Sequence, residues 1–206
     1  MSTINLNHGL ALLCAGLFCT SAGPVAAKDA LERGASLMLE RCASCHGPDG
    51  NSPVPAFPKL AGQHADYLLH ELKEYKDHHR HSEVMQPVAK ELSEEDMAAV
   101  AAFLAVQKPS PGTVSDAGLL PLGKKLYFEG NSDTGVPSCD GCHEADGSGS
   151  ARFPRIAGQN VEYVLEQFRL YATGKRPRGK KVMRTIAERL TEQEARAVAE
   201  YLASQP

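Results

Sequence analysis

The feature that most constrains this chain is a pentapeptide that occurs twice. Cys42-Ala43-Ser44-Cys45-His46 returns as Cys139-Asp140-Gly141-Cys142-His143, 97 residues later. Two thiols in one helical turn, with an imidazole immediately after them, form the pattern of covalent c-type haem attachment. The thiols bond two vinyl groups on one edge of the porphyrin, and the adjacent His reaches the iron. Two other chemistries use Cys-x-x-Cys. A structural zinc site needs two such pairs close together, or further His ligands at set spacings. Here each pair stands far from the other, with its own His. A thioredoxin-like dithiol sits in a βαβ pattern, and no alternating strand pattern is visible. The expectation is two covalent haems, held by Cys42, Cys45, Cys139 and Cys142, with His46 and His143 on the irons.

The remaining cysteines, Cys14 and Cys19, lie in a segment that reads as a secretory leader. An apolar run covers Leu10 to Phe18, and Val25-Ala26-Ala27 is an A-x-A-like cleavage site. The run is too short to span a bilayer comfortably. A leader over 1–27, cleaved near Ala27, predicts export and a soluble mature chain, with no mature thiol left for a disulfide. The charge balance, 22 basic against 25 acidic residues, argues against a general nucleic-acid binder. Aromatics are only 6% and Trp is absent, so the apolar core is thin. A haem in each half supplies the missing apolar mass.

The mature chain is two copies of one helical unit. Phe57-Pro58-Lys59-Leu60-Ala61-Gly62-Gln63 matches Phe153-Pro154-Arg155-Ile156-Ala157-Gly158-Gln159 at an offset of 96. Tyr67, Leu68, Leu72 and Tyr75 match Tyr163, Val164, Phe168 and Tyr171, and the i, i+4, i+7 spacing from Leu68 marks a helix face. A last helix opens at Thr191 with a full capping box and at Ser93 with a weaker variant. Each half begins with a short helix carrying a glycine, Gly34 or Gly123, and Lys108-Pro109-Ser110-Pro111-Gly112 reads as a linker. The domains are therefore 28–108 and 109–206, all-α.

The second axial ligand follows from the repeat. Four Met lie beyond the leader: Met38, Met85, Met97 and Met183. Met85 aligns with Met183 at an offset of 98, whereas Met97 aligns with Ala195 and Met38 falls near Tyr127. Met85 and Met183 are expected in loops before the last helix, as iron ligands, and Met38 and Met97 as core. The His-rich stretch from His78 to His81 aligns with Lys175-Arg176 and reads as a solvated polar loop.

These motifs resemble those of the class I cytochromes c, and the tandem arrangement resembles the di-haem cytochrome c-four family. The resemblance covers nearly all of the mature chain. It implies two class I cytochrome c domains, haems near their interface, and His/Met ligation by His46 with Met85 and His143 with Met183. It also implies that the carbonyls of Pro58 and Pro154 accept the Nδ1–H of His46 and His143, and that Gly34 and Gly123 let the first helix pass close to Phe103 and Tyr201. Two departures stand out: about eight extra residues in half two around Asn131 to Pro137, and His78 where half two has Gly174.

With both irons six-coordinate no substrate site remains, so the expectation is an electron carrier and not an enzyme. The resemblance implies a periplasmic shuttle from a quinol-oxidising complex to a terminal oxidase, with peripheral association at the inner membrane left open. The alternative is the haem subunit of a larger dehydrogenase, such as a flavocytochrome c sulfide dehydrogenase. A di-haem peroxidase would need an open sixth site, which two aligned Met argue against. Residues 28–107 carry a net charge of −5 and 108–206 a net +2. The basic run from Lys175 to Lys181 is a candidate docking rim beside Met183.

Overall fold

The computed structural model describes residues 24–176 and 181–206, so nearly all of the expected leader, and Arg178 and Lys180 of the basic run, lie outside the described residues. Among the described residues the architecture is helical, and the one β contact is an isolated bridge between Asn131 and Val136. The first half runs α1 (Pro24–Leu37), a π-helical segment (Met38–Cys42), α2 (Ala43–His46), α3 (Ala65–Lys76), α4 (Met85–Lys90) and α5 (Glu94–Ala105). A 3-10 turn (Ala117–Leu119) leads into the second half: α6 (Leu120–Glu129), α7 (Asp140–His143), α8 (Val161–Ala172), α9 (Val182–Arg189) and α10 (Glu192–Ser204).

First and last helices pack together in each half, α1 on α5 and α6 on α10. The glycines make this contact. A Cβ on Gly34 would lie 2.2 Å from the Ala99 carbonyl oxygen, and one on Gly123 would lie 2.0 Å from that of Ala197. Both would also meet the Cβ of Phe103 or Tyr201 at 2.7 Å, the close approach expected from the resemblance. The cores then build on each helix pair. Met38, Leu68, Val100, Ala101 and Leu104 form one, and Leu126, Tyr127, Val161, Val164, Val198 and Leu202 are among those forming the other. Where half one buries Met38, half two buries Tyr127, whose hydroxyl donates to the Glu144 carbonyl at 2.6 Å.

Several expectations need correction. The first capping box is complete, because the Ser93 hydroxyl accepts from the Asp96 amide while the Asp96 carboxylate accepts from the Ser93 amide. Met85 and Met183 are not in loops: each stands in the first turn of a short helix, α4 or α9. Pro87 falls in the first turn of α4, where a missing N–H costs nothing. His78 takes the left-handed conformation of its counterpart Gly174, with φ of 60° against 71°. Its Nδ1 lies 2.7 Å from Gln86 Nε2, a contact available only to the His. The extra residues of half two form a tight turn tied to the last two helices, through Asn131 to Glu194 and Arg189 to the Gly135 carbonyl. The expected linker is strapped down as well: Lys59 Nζ donates to Ser110 Oγ and the Pro111 carbonyl, and Asn51 bonds Lys108 and Ser110.

Candidate haem sites and the face between the halves

The two His sites are built alike. His46 and His143 close the short helices α2 and α7 and are buried, 5% and 8% exposed. Each Nδ1 lies 2.9 Å from a proline carbonyl, Pro58 for His46 and Pro154 for His143. A carbonyl only accepts, so Nδ1 carries the hydrogen and Nε2 keeps the lone pair that a metal requires. Burial lowers the pKa of both imidazoles and so favours the neutral ligand form, and the bond to the proline carbonyl opposes this only in part. Phe57 and Phe153 sit tilted against the two rings at centroid distances of 6.2 and 6.1 Å. The loop that presents each proline is held the same way. The Gly50 carbonyl accepts from Leu60 and Ala61, and the Gly147 carbonyl from Ile156 and Ala157.

The thiols and thioethers divide by environment. All four Cys of the motifs are half-buried. Burial pushes the Cys42 thiol up, and burial with the neighbouring Asp140 pushes Cys139 up to about 12. A redox dithiol needs the opposite, a lowered thiol pKa. Met38 and Met97 are completely buried in the protein core. Met85 and Met183 are half-buried at the start of their helices, each preceded by an exposed valine, Val84 or Val182. Among the described residues no cluster of His, Cys, Asp or Glu is arranged to hold a metal ion, including the His-rich stretch.

The halves meet across a face with an approximate two-fold relation, and the glutamine that ends each copy of the repeated motif explains it. Gln63 Nε2 donates to the Arg155 carbonyl at 2.8 Å, and its Oε1 accepts from the Arg155 amide at 3.0 Å. Gln159 does the same to Lys59, at 3.0 and 2.8 Å. One residue on, His64 Nε2 contacts the Ser148 carbonyl, and Asn160 Nδ2 donates to the carbonyls of Val54 and Phe57. The stretches expected as solvated polar loops contribute two buried arginines. Arg80 and Arg176, 6% and 5% exposed, reach across to Tyr163 and Tyr67 respectively. The reason is partnership: each guanidinium finds acceptors and an aromatic face there, which a solvated loop would not need. Arg176 is therefore no part of a docking rim, while Lys175 and Lys181 remain exposed.

Comparison with known proteins agrees with this geometry. The family model "Cytochrome c" matches twice, over residues 31–108 and 121–206. A cytochrome c4 of Thiocapsa roseopersicina is 44% identical over 167 residues, covering 78% of this chain and 85% of that protein. The chain belongs to the cytochrome c family, in its di-haem cytochrome c4 branch. The crystal structure of reduced recombinant cytochrome c4 from Pseudomonas stutzeri superposes with a TM-score of 0.80 at 34% identity, covering 85% of this chain and 98% of that one. A "thiosulfate dehydrogenase electron acceptor" of Thiomonas intermedia (strain K12) is 34% identical over 172 residues, covering 80% of this chain and 78% of that protein. As a di-haem cytochrome c the protein has two class I domains, carries two covalent c-type haems and is an electron carrier. The haem iron supplies a one-electron ferric/ferrous couple. The protein supplies the ligand orientation and the mutual placement of the two centres. Sequence reasoning missed Gln63, Gln159, Arg80 and Arg176 as interface residues. The strict repetition of Ala-Gly-Gln was the signal available for the glutamines.

Proposed function

We propose that Cys42, Cys45, His46 and Met85 hold the first haem, and Cys139, Cys142, His143 and Met183 the second, in domains 28–108 and 109–206. The observation that carries the assignment is the contrast among the methionines. The repeated pair, Met85 and Met183, stands half-buried at the start of equivalent helices, while Met38 and Met97 are fully enclosed by protein atoms. His/Met ligation raises a haem potential and leaves no coordination site for substrate, which suits outer-sphere transfer through a haem edge.

On this reading the protein is exported, works in the periplasm and carries electrons from a quinol-oxidising membrane complex to a terminal oxidase. No helix among the described residues is long and apolar enough to cross a membrane. A second donor is favoured by the Thiomonas relative: a thiosulfate dehydrogenase passing electrons to the same haem pair. It stands beside the alternative that the chain is the haem subunit of a larger dehydrogenase, such as a flavocytochrome c sulfide dehydrogenase.

The ligand assignment is tested by redox titration at the haem band. Met85→His should lower one potential and leave the other nearly unchanged, and Met183→His should lower the other. Loss of the thioether-to-iron absorption in Met97→Ala, but not in Met85→Ala, would overturn the assignment. The donors are separated by rapid mixing of the oxidised protein with either quinol-reduced membranes or thiosulfate dehydrogenase plus thiosulfate. Fast reduction by the membranes supports the respiratory shuttle, and fast reduction by the dehydrogenase alone supports the second reading.

A further inference from the structure

The buried cluster between the halves follows the repeat at all but one of its positions. Tyr67, Tyr75 and Arg80 of the first half correspond to Tyr163, Tyr171 and Arg176 of the second. Between them the first half has Glu71 where the second has Gln167. The geometry around the exception remains nearly two-fold. Arg80 donates to Glu71 Oε2 through Nη1, and to Gln167 Oε1 through Nη2 at 2.9 Å. Arg176 donates to Gln167 Oε1 through Nη1 at 2.8 Å, and its Nη2 lies 3.6 Å from Glu71 Oε2. Each guanidinium also stacks over a tyrosine of its own half, Arg80 on Tyr75 and Arg176 on Tyr171, at 4.6 and 4.8 Å. All four polar residues are buried, with exposures of 5% to 9%.

The two sides of this arrangement differ in charge although they match in shape. Glu71 brings a full negative charge and Gln167 only an amide dipole. Each stands one turn beyond a core residue of its own half. Leu68 precedes Glu71 in the core against which Cys42 packs, and Val164 precedes Gln167 in the core against which Cys139 packs. By the two-fold relation, Glu71 stands to the first haem as Gln167 stands to the second. A buried charge is poorly screened by salt. Ferric iron carries one more positive charge than ferrous iron, so a nearby carboxylate favours the ferric state and lowers the potential.

We propose that Glu71, the single acid in this two-fold cluster, lowers the potential of the first-half haem relative to that of the second. Glu71 acts here as a tuning residue through space and touches neither iron. The inference rests on one haem in each half and not on which methionine ligates either, so it stands or falls apart from the Met substitutions above.

The test uses the full holoprotein and two variants. Gln167→Glu gives the cluster two acids for two arginines, which balances its charge and restores the symmetry. Glu71→Gln combined with Gln167→Glu keeps one acid, one amide and two arginines, but moves the acid to the other half. Both potentials are read by redox titration, and retention of the thioether-to-iron absorption verifies the ligands. Gln167→Glu should lower one potential more than the other and change their separation. The corresponding change in the ferric/ferrous ratio is up to about tenfold, and tenfold is 59 mV for a one-electron couple. The double variant should change the separation in the same direction, by about twice as much. A separation unchanged in both variants, or two potentials that move equally, would overturn the proposal. A purely structural role for Glu71 predicts that result, with altered unfolding midpoints and an unaltered separation.

Discussion

Replacing Gln63 and Gln159 together with leucine should uncouple the two halves while leaving each folded. Each glutamine makes three bonds of a kind that leucine cannot replace. Gln63 Oε1 accepts from the amides of Arg155 and His64, and Nε2 donates to the Arg155 carbonyl. Gln159 mirrors this with Lys59 and Asn160. Both side chains are buried, at 6% and 9% exposure. Leucine keeps much of the volume, so the loss is polar rather than a cavity. A net contribution of about 1 kcal/mol per hydrogen bond gives roughly 3 kcal/mol per glutamine. Two thirds of that falls on bonds between the halves, about 4 kcal/mol for the pair of substitutions. The backbone groups left behind cost more if water cannot reach them, about 1–3 kcal/mol each.

That is comparable to the whole stability of a small domain, about 5–15 kcal/mol. The wild type should therefore unfold with strong coupling between halves. The double variant should show two separated transitions in calorimetry, or a van't Hoff enthalpy well below the calorimetric one. Electron exchange between the haems should slow in parallel, since their mutual placement depends on this face. A double variant that unfolds with the coupling and midpoint of the wild type would refute the reasoning. The reciprocal amide clamps would then be incidental to the assembly.

Gly123→Ala should destabilise the second half, although Gly→Ala in an ordinary helix interior stabilises by up to about 1 kcal/mol. The new Cβ would sit 2.0 Å from the Ala197 carbonyl oxygen, so α6 and α10 must part, at a cost of about 1–3 kcal/mol. A gain in the urea midpoint would show that the helices separate freely. Asp96→Asn tests a surface element. The Ser93 bond and the Arg33 guanidinium hold the Asp96 carboxyl down to about 2. A depressed carboxyl stabilises the folded state above its unfolded value near pH 4, and that stability is lost as pH falls toward 2. The pair is exposed and its contribution small, so the variant should be slightly less stable at pH 7, with the difference shrinking as pH falls through about 2. An equal difference at both pH values would contradict the assignment.

How much of this was legible in the sequence depends on where each partner lies. The Cys-x-x-Cys-His motifs, the helix pairs and the close-approach glycines are set by residues a few positions apart, or by strict repetition. Reading one half against the other was enough for the motifs and the repeated helices, while the close approach at Gly34 and Gly123 followed from the family resemblance. Repetition also separated Met85 and Met183 from Met38 and Met97. The short helices that carry Met85 and Met183 were missed because six and eight residues show too little periodicity to read. Arg80 and Arg176 misled for a different reason. A cation in a short polar stretch looks solvated until its acceptors are located, and those acceptors include Tyr163, Gln167 and Tyr67, more than 80 residues away in the chain. No periodicity marks such a contact. His78 shows a local rule overridden: a left-handed position occupied by a side chain that gains a contact to Gln86.

A duplicated domain poses a problem that its symmetry cannot solve. Two identical haem sites related by a two-fold axis would have identical potentials, and an electron would have no preferred resting place. Direction must come from departures from the repeat. Those on the outside, such as net −5 against net +2 in the two halves, act through solvent and are screened within about 10 Å at 0.1 M salt. They bias which partner docks at which end more than they bias the irons. Those inside act without that screening. Tyr127 in place of Met38 changes a hydroxyl near Glu144 but no charge. The Glu71/Gln167 difference places a net charge on one side of a buried, otherwise matched cluster. If electrons have a preferred haem in this protein, the interior offers that carboxylate as the first place to look for its cause.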